Sequence, residues 1–373
     1  MTRGFSLYLD ALRFLAAMAV FASHMGYERF TQGSMAWIRA LNLGSDAVVV
    51  FFVLSGFVIA HTTFARARGP AAYAQARMAR LYSVVIPALI VTVILDAAGS
   101  ALFPAAYEGW WYNGENIGGQ IARALTFTSQ TWNEALRIGS NGPFWSVAYE
   151  AWYYAGFGVA VFCRGHIRWI LLGLMAVAAG PAILLLAPCW LVGVALQQAL
   201  GKGWGTGVSP ASAWMLAVAP WGAYALALMW HVPERLTMGT GVLLGGQDPN
   251  AALGFSDEFA WNFLISLLMT AHFAGVYRLA QGAGWIGARA EAAIRWCAGA
   301  TFSIYLFHYP ILTFLHGLPG YDGANGLHAA LLAAATLAAC FALAEVSERR
   351  LDVWKRLMES LFRRAGGLRP APA

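Results

Sequence analysis

Apolar residues gather in long runs separated by short polar stretches, and the runs are too long for the helices of an ordinary soluble core. A helix crossing a bilayer needs about 20 mostly apolar residues. Eight runs meet that length, at 5–26, 46–65, 81–103, 144–163, 211–231, 259–280, 298–318 and 327–346. Two regions resist assignment. Residues 117–132 are short and polar, and 167–200 is too long for one straight span. Gly180-Pro181 and Pro188 lie inside the second region, where a missing N–H and a ring clash break helices.

The charges between runs predict which loops face the cytoplasm. Residues 66–80 carry Arg66, Arg68, Arg77 and Arg80 and no acid, and 278–295 carry Arg278, Arg289 and Arg295 against Glu291. Residues 104–116 carry only Glu108 and Glu115, and 232–258 carry four acids against Arg235. Basic loops stay inside, so the first two loops are expected inside and the last two outside. An even number of spans follows, with both termini cytoplasmic. Ten spans result if 167–200 is a hairpin and 117–132 does not cross; ten also result if 117–132 crosses and 167–200 crosses once. The hairpin keeps Arg164 and Arg168 inside and is preferred. The expected architecture is thus an all-α, polytopic transmembrane bundle of about ten spans. It has one membrane domain over 1–346 and a basic cytoplasmic tail over 347–373.

Composition strengthens this picture. Charged residues make up 11% of the 373 residues and mean hydropathy is +0.57, where soluble domains carry about 25% charged residues. The net charge of +6 sits in groups flanking apolar runs, including Arg349, Arg350, Lys355, Arg356, Arg363, Arg364 and Arg369. That placement anchors loops and forms no stripe for nucleic acid. Cys163, Cys189, Cys297 and Cys340 form no CxxC and read as small apolar residues. The first run resembles a signal peptide in length, but Asp10 and Arg13 interrupt it and His24 follows, so an uncleaved span is expected.

Ionisable groups inside spans are costly and point to function. The first span holds Asp10, Arg13 and His24. Eleven steps of about 100° leave Arg13 and His24 about 20° apart and ~16 Å apart along the axis. Ala17 and Val20 continue that face. Asp10 lies one turn from Arg13 and is a candidate partner for it. A structural ion pair with a snorkelling histidine is the plainer alternative. His24 and Glu28 at i, i+4 lack a third metal ligand, so no metal is expected. Arg77 and Arg80 share a helix face, and guanidinium forks suit phosphates, although loop anchoring explains the same pair. Glu150 lies inside the span of 144–163 and needs a partner or a proton. His308, two residues before Pro310, reads as a packing or kink residue, and His61 and His272 read as structural.

Taken together, these residues resemble the membrane-bound acyltransferase 3 family, whose members acylate sugars and related compounds. The likeness runs from Leu9-Asp10-Ala-Leu-Arg13 to Glu345-Val-Ser-Glu348-Arg349. It takes in Arg13-x10-His24, Gly44-Ser-Asp46, Ser55-Gly56-Phe57, Arg77-x-x-Arg80-Leu-Tyr82, Phe144-Trp145-Ser146 with Glu150, and Phe302-Ser-Ile-Tyr305-Leu-Phe-His308. Ser83 stands where the family often has proline after the arginine pair.

The resemblance implies transfer of an acyl group, commonly acetyl, from acyl-coenzyme A to a hydroxyl. Acyl-CoA is then a donor substrate, with no permanently bound cofactor. His24 would be catalytic, and Arg13, Arg77 and Arg80 would bind or position the donor. Asp46 or Glu150 would orient or polarise a catalytic group. Trp145, Ser146, Asp10 and His308 are assigned to the acceptor side or to structure. Histidine's ordinary pKa range suits a general base. Direct transfer and an acyl-histidine intermediate both fit. A carbohydrate or glycolipid acceptor, the lipid bilayer and the cytoplasmic membrane complete the expectation. The rival class is a transporter, which would carry matching halves with broken helices; no internal repeat is present.

Overall fold

The structure is a computed structural model that describes residues 1–66, 69–205, 207–281 and 287–364. Arg68 and the end of the basic tail, with Arg369, lie outside the described residues. Among the described residues the chain is all-helical, and its only β pairings are two isolated bridges, Asn113 with Gly139 and Ile138 with Asn141. In chain order the helices are α1 (Arg3–Met25), α2 (Glu28–Thr31), α3 (Ala36–Ala40), α4 (Leu43–Arg66), α5 (Pro70–Leu102) and α6 (Ile117–Leu125). Next come α7 (Trp145–Phe162), α8 (Gly165–Ala179), α9 (Pro181–Gly201), α10 (Pro210–Met229), α11 (Val232–Leu243) and α12 (Pro249–Leu253). The last are α13 (Phe259–Leu279), α14 (Ala288–Ala298), α15 (Thr301–His316), α16 (Gly326–Val346) and α17 (Leu351–Arg364).

Every one of the eight expected spans is a helix. Among the described residues seven helices are long and apolar enough to cross a membrane, and α14 with α15, bent by 49°, makes an eighth if counted as one span. α7 has 18 residues but is rich in tryptophan and tyrosine, and α8 has 15 residues. The region 167–200 divides at Gly180-Pro181 into α8 and α9, as its proline signal predicts. The nine-residue α6 rises only about 14 Å and is too short to cross. Outward-facing residues are themselves apolar: Ile94 on α5 is 60% exposed and Leu174 on α8 is 62% exposed. Such surfaces need lipid as their solvent, so this is a multi-pass membrane protein.

The chain forms two compact units. The first comprises Met1–Ser23, Ile38–Ala65 and Gly180–Ala298. Here α4 and α9 meet almost backbone to backbone. A Cβ on Gly56 would stand 2.0 Å from the Trp190 carbonyl oxygen, and one on Gly193 would stand 2.1 Å from that of Val53. Small residues allow this approach in a membrane, where close packing replaces the hydrophobic drive. Trp190 Nε1 adds a hydrogen bond to Ser55 Oγ at 3.1 Å, so Ser55-Gly56 serves helix packing. α10 and α13 close in the same way at Gly275. His272 donates from Nδ1 to the Ala217 carbonyl at 2.6 Å and accepts from the Tyr8 hydroxyl at Nε2, which is a structural role.

The second unit comprises His24–Trp37, Arg66–Ala179 and Gly299–Ala373. α15 packs between α5 and α16, and α7 leans on α5. Through Arg364, the expected tail is in part a helix: α17 lies along α5 with Met358 buried. The segment Ile138–Gly142 is pinned to α5 by Asp96, which accepts from Ser140 N at 2.8 Å and from Ser140 Oγ at 2.6 Å. Gly139 has φ +54°, and a Cβ there would stand 2.1 Å from Asp96 Oδ2. Only glycine lets the turn pass the carboxylate this closely.

Candidate functional site

α1 is continuous from Arg3 to Met25, so the helical spacing of Arg13 and His24 holds. His24 ends the helix, and its Nδ1 lies 2.7 Å from His308 Nε2. The other nitrogen of His308, Nδ1, lies 2.7 Å from the Ile304 carbonyl. A carbonyl only accepts, so His308 carries its proton on Nδ1 and presents a lone pair on Nε2. His24 must then donate from Nδ1, and in its neutral form it carries its lone pair on Nε2. The backbone of α15 thus sets the tautomer of two histidines in series, the arrangement by which a second group orients a base. Tyr27 stacks on His24 at 5.8 Å and Tyr309 meets it edge-on at 4.9 Å.

Pro310 explains the next contact. It has no N–H, so the Leu306 carbonyl loses its helical donor. Asn141 Nδ2 replaces that donor at 2.9 Å and also reaches Thr92 Oγ1 at 3.0 Å. One amide therefore ties α5, α15 and the Ile138–Gly142 segment together beside the histidine pair. Its own Oδ1 is buried with no hydrogen-bond partner. Ser146 bonds the Tyr305 hydroxyl at 2.7 Å, one turn before His308 on α15. Trp145 is half-buried and packs edge-on against Tyr149 at 5.1 Å.

The arginine pair occupies another level. Arg80 Nη2 donates to Glu348 Oε1 at 2.7 Å, and Glu348 Oε2 accepts from Ser303 N at 2.9 Å. Arg77 lies 6.0 Å from the Tyr154 ring, and its Nε is buried with no hydrogen-bond partner. Tyr154 donates to Glu150. Ser303 and His308 are five residues apart on α15, so the two levels differ by about 7–8 Å along that helix. Thr92 stands twelve residues, or about 18 Å, beyond Arg80 on α5.

Several expectations change. Glu150, expected to orient or polarise a catalytic group, lies with the arginines: Tyr154 bonds it and its charge acts on Arg80. Asp46, expected to orient or polarise a catalytic group, accepts from Tyr224 Oη at 2.5 Å and from Trp261 Nε1 at 2.9 Å within the first unit. Asp10 feels the Arg13 charge one turn along α1, as the spacing predicts, and in addition ion-pairs with Arg295 at 3.3 Å. Arg13 lies half-buried on α1. His308, read as packing, is the partner of His24. Asp96 went unremarked although a carboxylate inside the run 81–103 carries the same signal as Glu150. Among the described residues no cluster of three or more His, Cys, Asp or Glu side chains is placed to hold a metal.

Near His24 lies a second group that the residue pattern did not disclose. The Arg29 guanidinium carbon is 4.4 Å from the Tyr27 ring, 4.5 Å from Phe30, 4.6 Å from Trp111 and 5.2 Å from Tyr309. Arg29 also donates to the Tyr309 hydroxyl. Arg137 lies 4.9 Å from the Trp110 ring. Burial lowers the Arg29 pKa, and the charge on Arg137 pushes in the same direction, against the pull of Tyr309 and Tyr27. These residues are spread over 27–137 and 309, so no local motif marks them.

One curated protein, "Acyltransferase MdmB" of Streptomyces mycarofaciens, is 34% identical over 153 residues, which cover 40% of this chain and 37% of that protein. The chain thus matches little more than a third of that relative's length. No solved structure matches. The sequence profile described as "Acyltransferase domain" matches residues 6–345, and on that nearly complete match the chain belongs to the acyltransferase-domain family.

Proposed function

We propose that the protein is an integral-membrane O-acyltransferase that moves an acyl group, acetyl in the simplest case, from acyl-coenzyme A to a hydroxyl of a carbohydrate or glycan-like acceptor. The His24–His308 contact carries this reading, because it leaves a basic lone pair on His24 Nε2. In the proposed step, that nitrogen takes the proton of the acceptor hydroxyl. The oxygen attacks the thioester carbonyl and the C–S bond breaks. The departing thiolate takes the proton back from His24 Nε2, so ester and coenzyme A thiol are released and the base is restored. His308 is a positioning residue.

The donor's phosphates are assigned to the arginine end. Arg77, whose Nε–H lacks a partner, is the leading contact, and Arg80 stands beside it, held by Glu348. The ten-span reading, with both termini cytoplasmic in the cytoplasmic membrane, takes α7 and α8 as crossing helices. It sets the arginines inside and His24 outward, so that a cytoplasmic donor meets an acceptor from the opposite side.

The test is coenzyme A release by the purified protein given acetyl-coenzyme A and candidate glycans. His24→Asn is expected to lose about 10²- to 10⁴-fold, the usual worth of a general base. Wild-type turnover in a folded His24→Asn variant overturns the assignment. Arg77→Gln is expected to weaken coenzyme A binding and flatten its salt dependence. Unchanged binding removes the donor role.

A further inference from the structure

Two guanidinium groups share one face of the second unit beside His24. Arg29 is half-buried and ringed by Tyr27, Phe30, Trp111 and Tyr309. Arg137 lies over Trp110, and a Cβ on Gly142 would touch both Arg137 Nη1, at 3.1 Å, and the Tyr309 ring, at 3.9 Å. Tyr309 is thus common to both arginines. Trp110 and Trp111 meet edge to face at 6.1 Å, and Trp110 is 61% exposed, so the group opens to its surroundings on that side.

Like charges placed together in a half-buried site repel, and the Arg137 charge acts on Arg29 in this way. The buried Nε–H of Arg29 has no hydrogen-bond partner, and an N–H without an acceptor is costly. Planar forks of this kind match carboxylates and phosphates. The exposed indole face beside them offers a flat apolar surface of the kind that lines ligand sites, against which the C–H face of a pyranose ring packs.

We infer that Arg29 and Arg137, with Trp110, Trp111 and Tyr309, form an acceptor subsite for a sugar bearing an oxyanion, a carboxylate or a phosphate. The subsite holds the acceptor by its charged group and presents a neighbouring hydroxyl to His24, which touches Tyr27 and Tyr309 of the same group. This rests on the acyltransferase reading above and narrows its acceptor from any glycan to an anionic one.

The experiment uses the full-length protein in lipid nanodiscs and measures binding of glucuronate, inorganic phosphate and glucose by titration calorimetry or saturation-transfer NMR. Glucuronate or phosphate is expected to bind at least about tenfold tighter than glucose, and Arg137→Gln to lose at least about tenfold, as for one charged hydrogen bond. Arg29→Lys keeps the charge without the fork and is expected to weaken binding in a protein that still folds. Tighter binding of phosphate than glucuronate assigns the oxyanion to a phosphate group; the reverse assigns it to a carboxylate. Equal binding of glucose and both anions, or unchanged binding in both variants, overturns the subsite. So does competition by coenzyme A together with an equal loss of coenzyme A affinity in Arg137→Gln, because the oxyanion would then be the donor's. The two readings fail separately. A wild-type protein that binds glucuronate but releases no coenzyme A in any assay sinks the enzymatic reading. One that acylates neutral sugars without binding either anion sinks the subsite.

Discussion

Replacing His308 by alanine removes the acceptor of the His24 Nδ1–H while leaving His24 in place. In the wild type the chain of bonds runs from His24 Nδ1 to His308 Nε2 at 2.7 Å, and from His308 Nδ1 to the Ile304 carbonyl at 2.7 Å. His308 is fully buried, so the variant leaves the His24 N–H facing a cavity. A buried donor left unpaired costs about 1–3 kcal/mol. The cheapest escape is the other tautomer, which moves the proton to Nε2 and silences the base. At about 1.36 kcal/mol per factor of ten, the loss in kcat is about 5- to 150-fold. His308→Gln offers a carbonyl oxygen of similar reach and is expected to stay within about fivefold of wild type, one hydrogen bond's net worth. The assay is coenzyme A release at saturating acetyl-coenzyme A, with thermal unfolding to show that both variants fold. The donor KM is expected to stay constant, because the arginines sit at the other level of α15. Wild-type turnover in His308→Ala refutes the tautomer argument. Equal losses in the alanine and glutamine variants, with both folded, also refute it and leave packing as the explanation.

Three further outcomes follow from the geometry. Glu348→Ala strands the Arg80 charge. Breaking a buried pair costs about 3–5 kcal/mol, and the low end applies because the Arg80 side chain is 29% exposed. A thermal midpoint that does not move contradicts the pair's structural role. Asn141→Ala orphans the Leu306 carbonyl and is expected to cost about 1–3 kcal/mol. Adding Pro310→Ala restores an N–H in the helix and should recover part of that loss, so strictly additive losses in thermal unfolding would count against the link. Gly56→Ala would drive a methyl into the Trp190 carbonyl, at 2.0 Å, and is expected to cost about 1–3 kcal/mol or more. Gly222→Ala, with nothing within 4 Å, is the control, and equal yields of the two folded variants would refute the close approach of α4 and α9.

The fold was legible because lipid imposes a blunt rule. Apolar length alone located eight helices, and Gly180-Pro181 marked the break between α8 and α9. The site was legible only where a single residue violates that rule. His24, Arg77, Arg80 and Glu150 each stand out as polar groups in apolar runs, and they stand out whether or not they act together. What the pattern does not carry is partnership. Asp10 feels the arginine one turn away in sequence, but its second partner, Arg295, comes from a distant helix. Asp46 looks as exceptional as Glu150, but its carboxylate is filled by Tyr224 and Trp261, whose hydrogen-bonding groups carry no charge to betray them.

His308 shows why the catalytic reading needed three dimensions. Beside Pro310 it suggests a helix kink, and the kink exists in chemical form: Pro310 frees the Leu306 carbonyl and Asn141 takes it. The same turn of α15 sets the Ile304 carbonyl against His308 Nδ1. The features that made His308 look structural are therefore the ones that fix its tautomer and, through it, that of His24. A residue whose backbone contacts are secure is a better orienter than a mobile one, because a positioned base needs a partner that does not move with it. The structural and functional roles of His308 are one arrangement of donors and acceptors, and they are expected to fail together when its imidazole is removed.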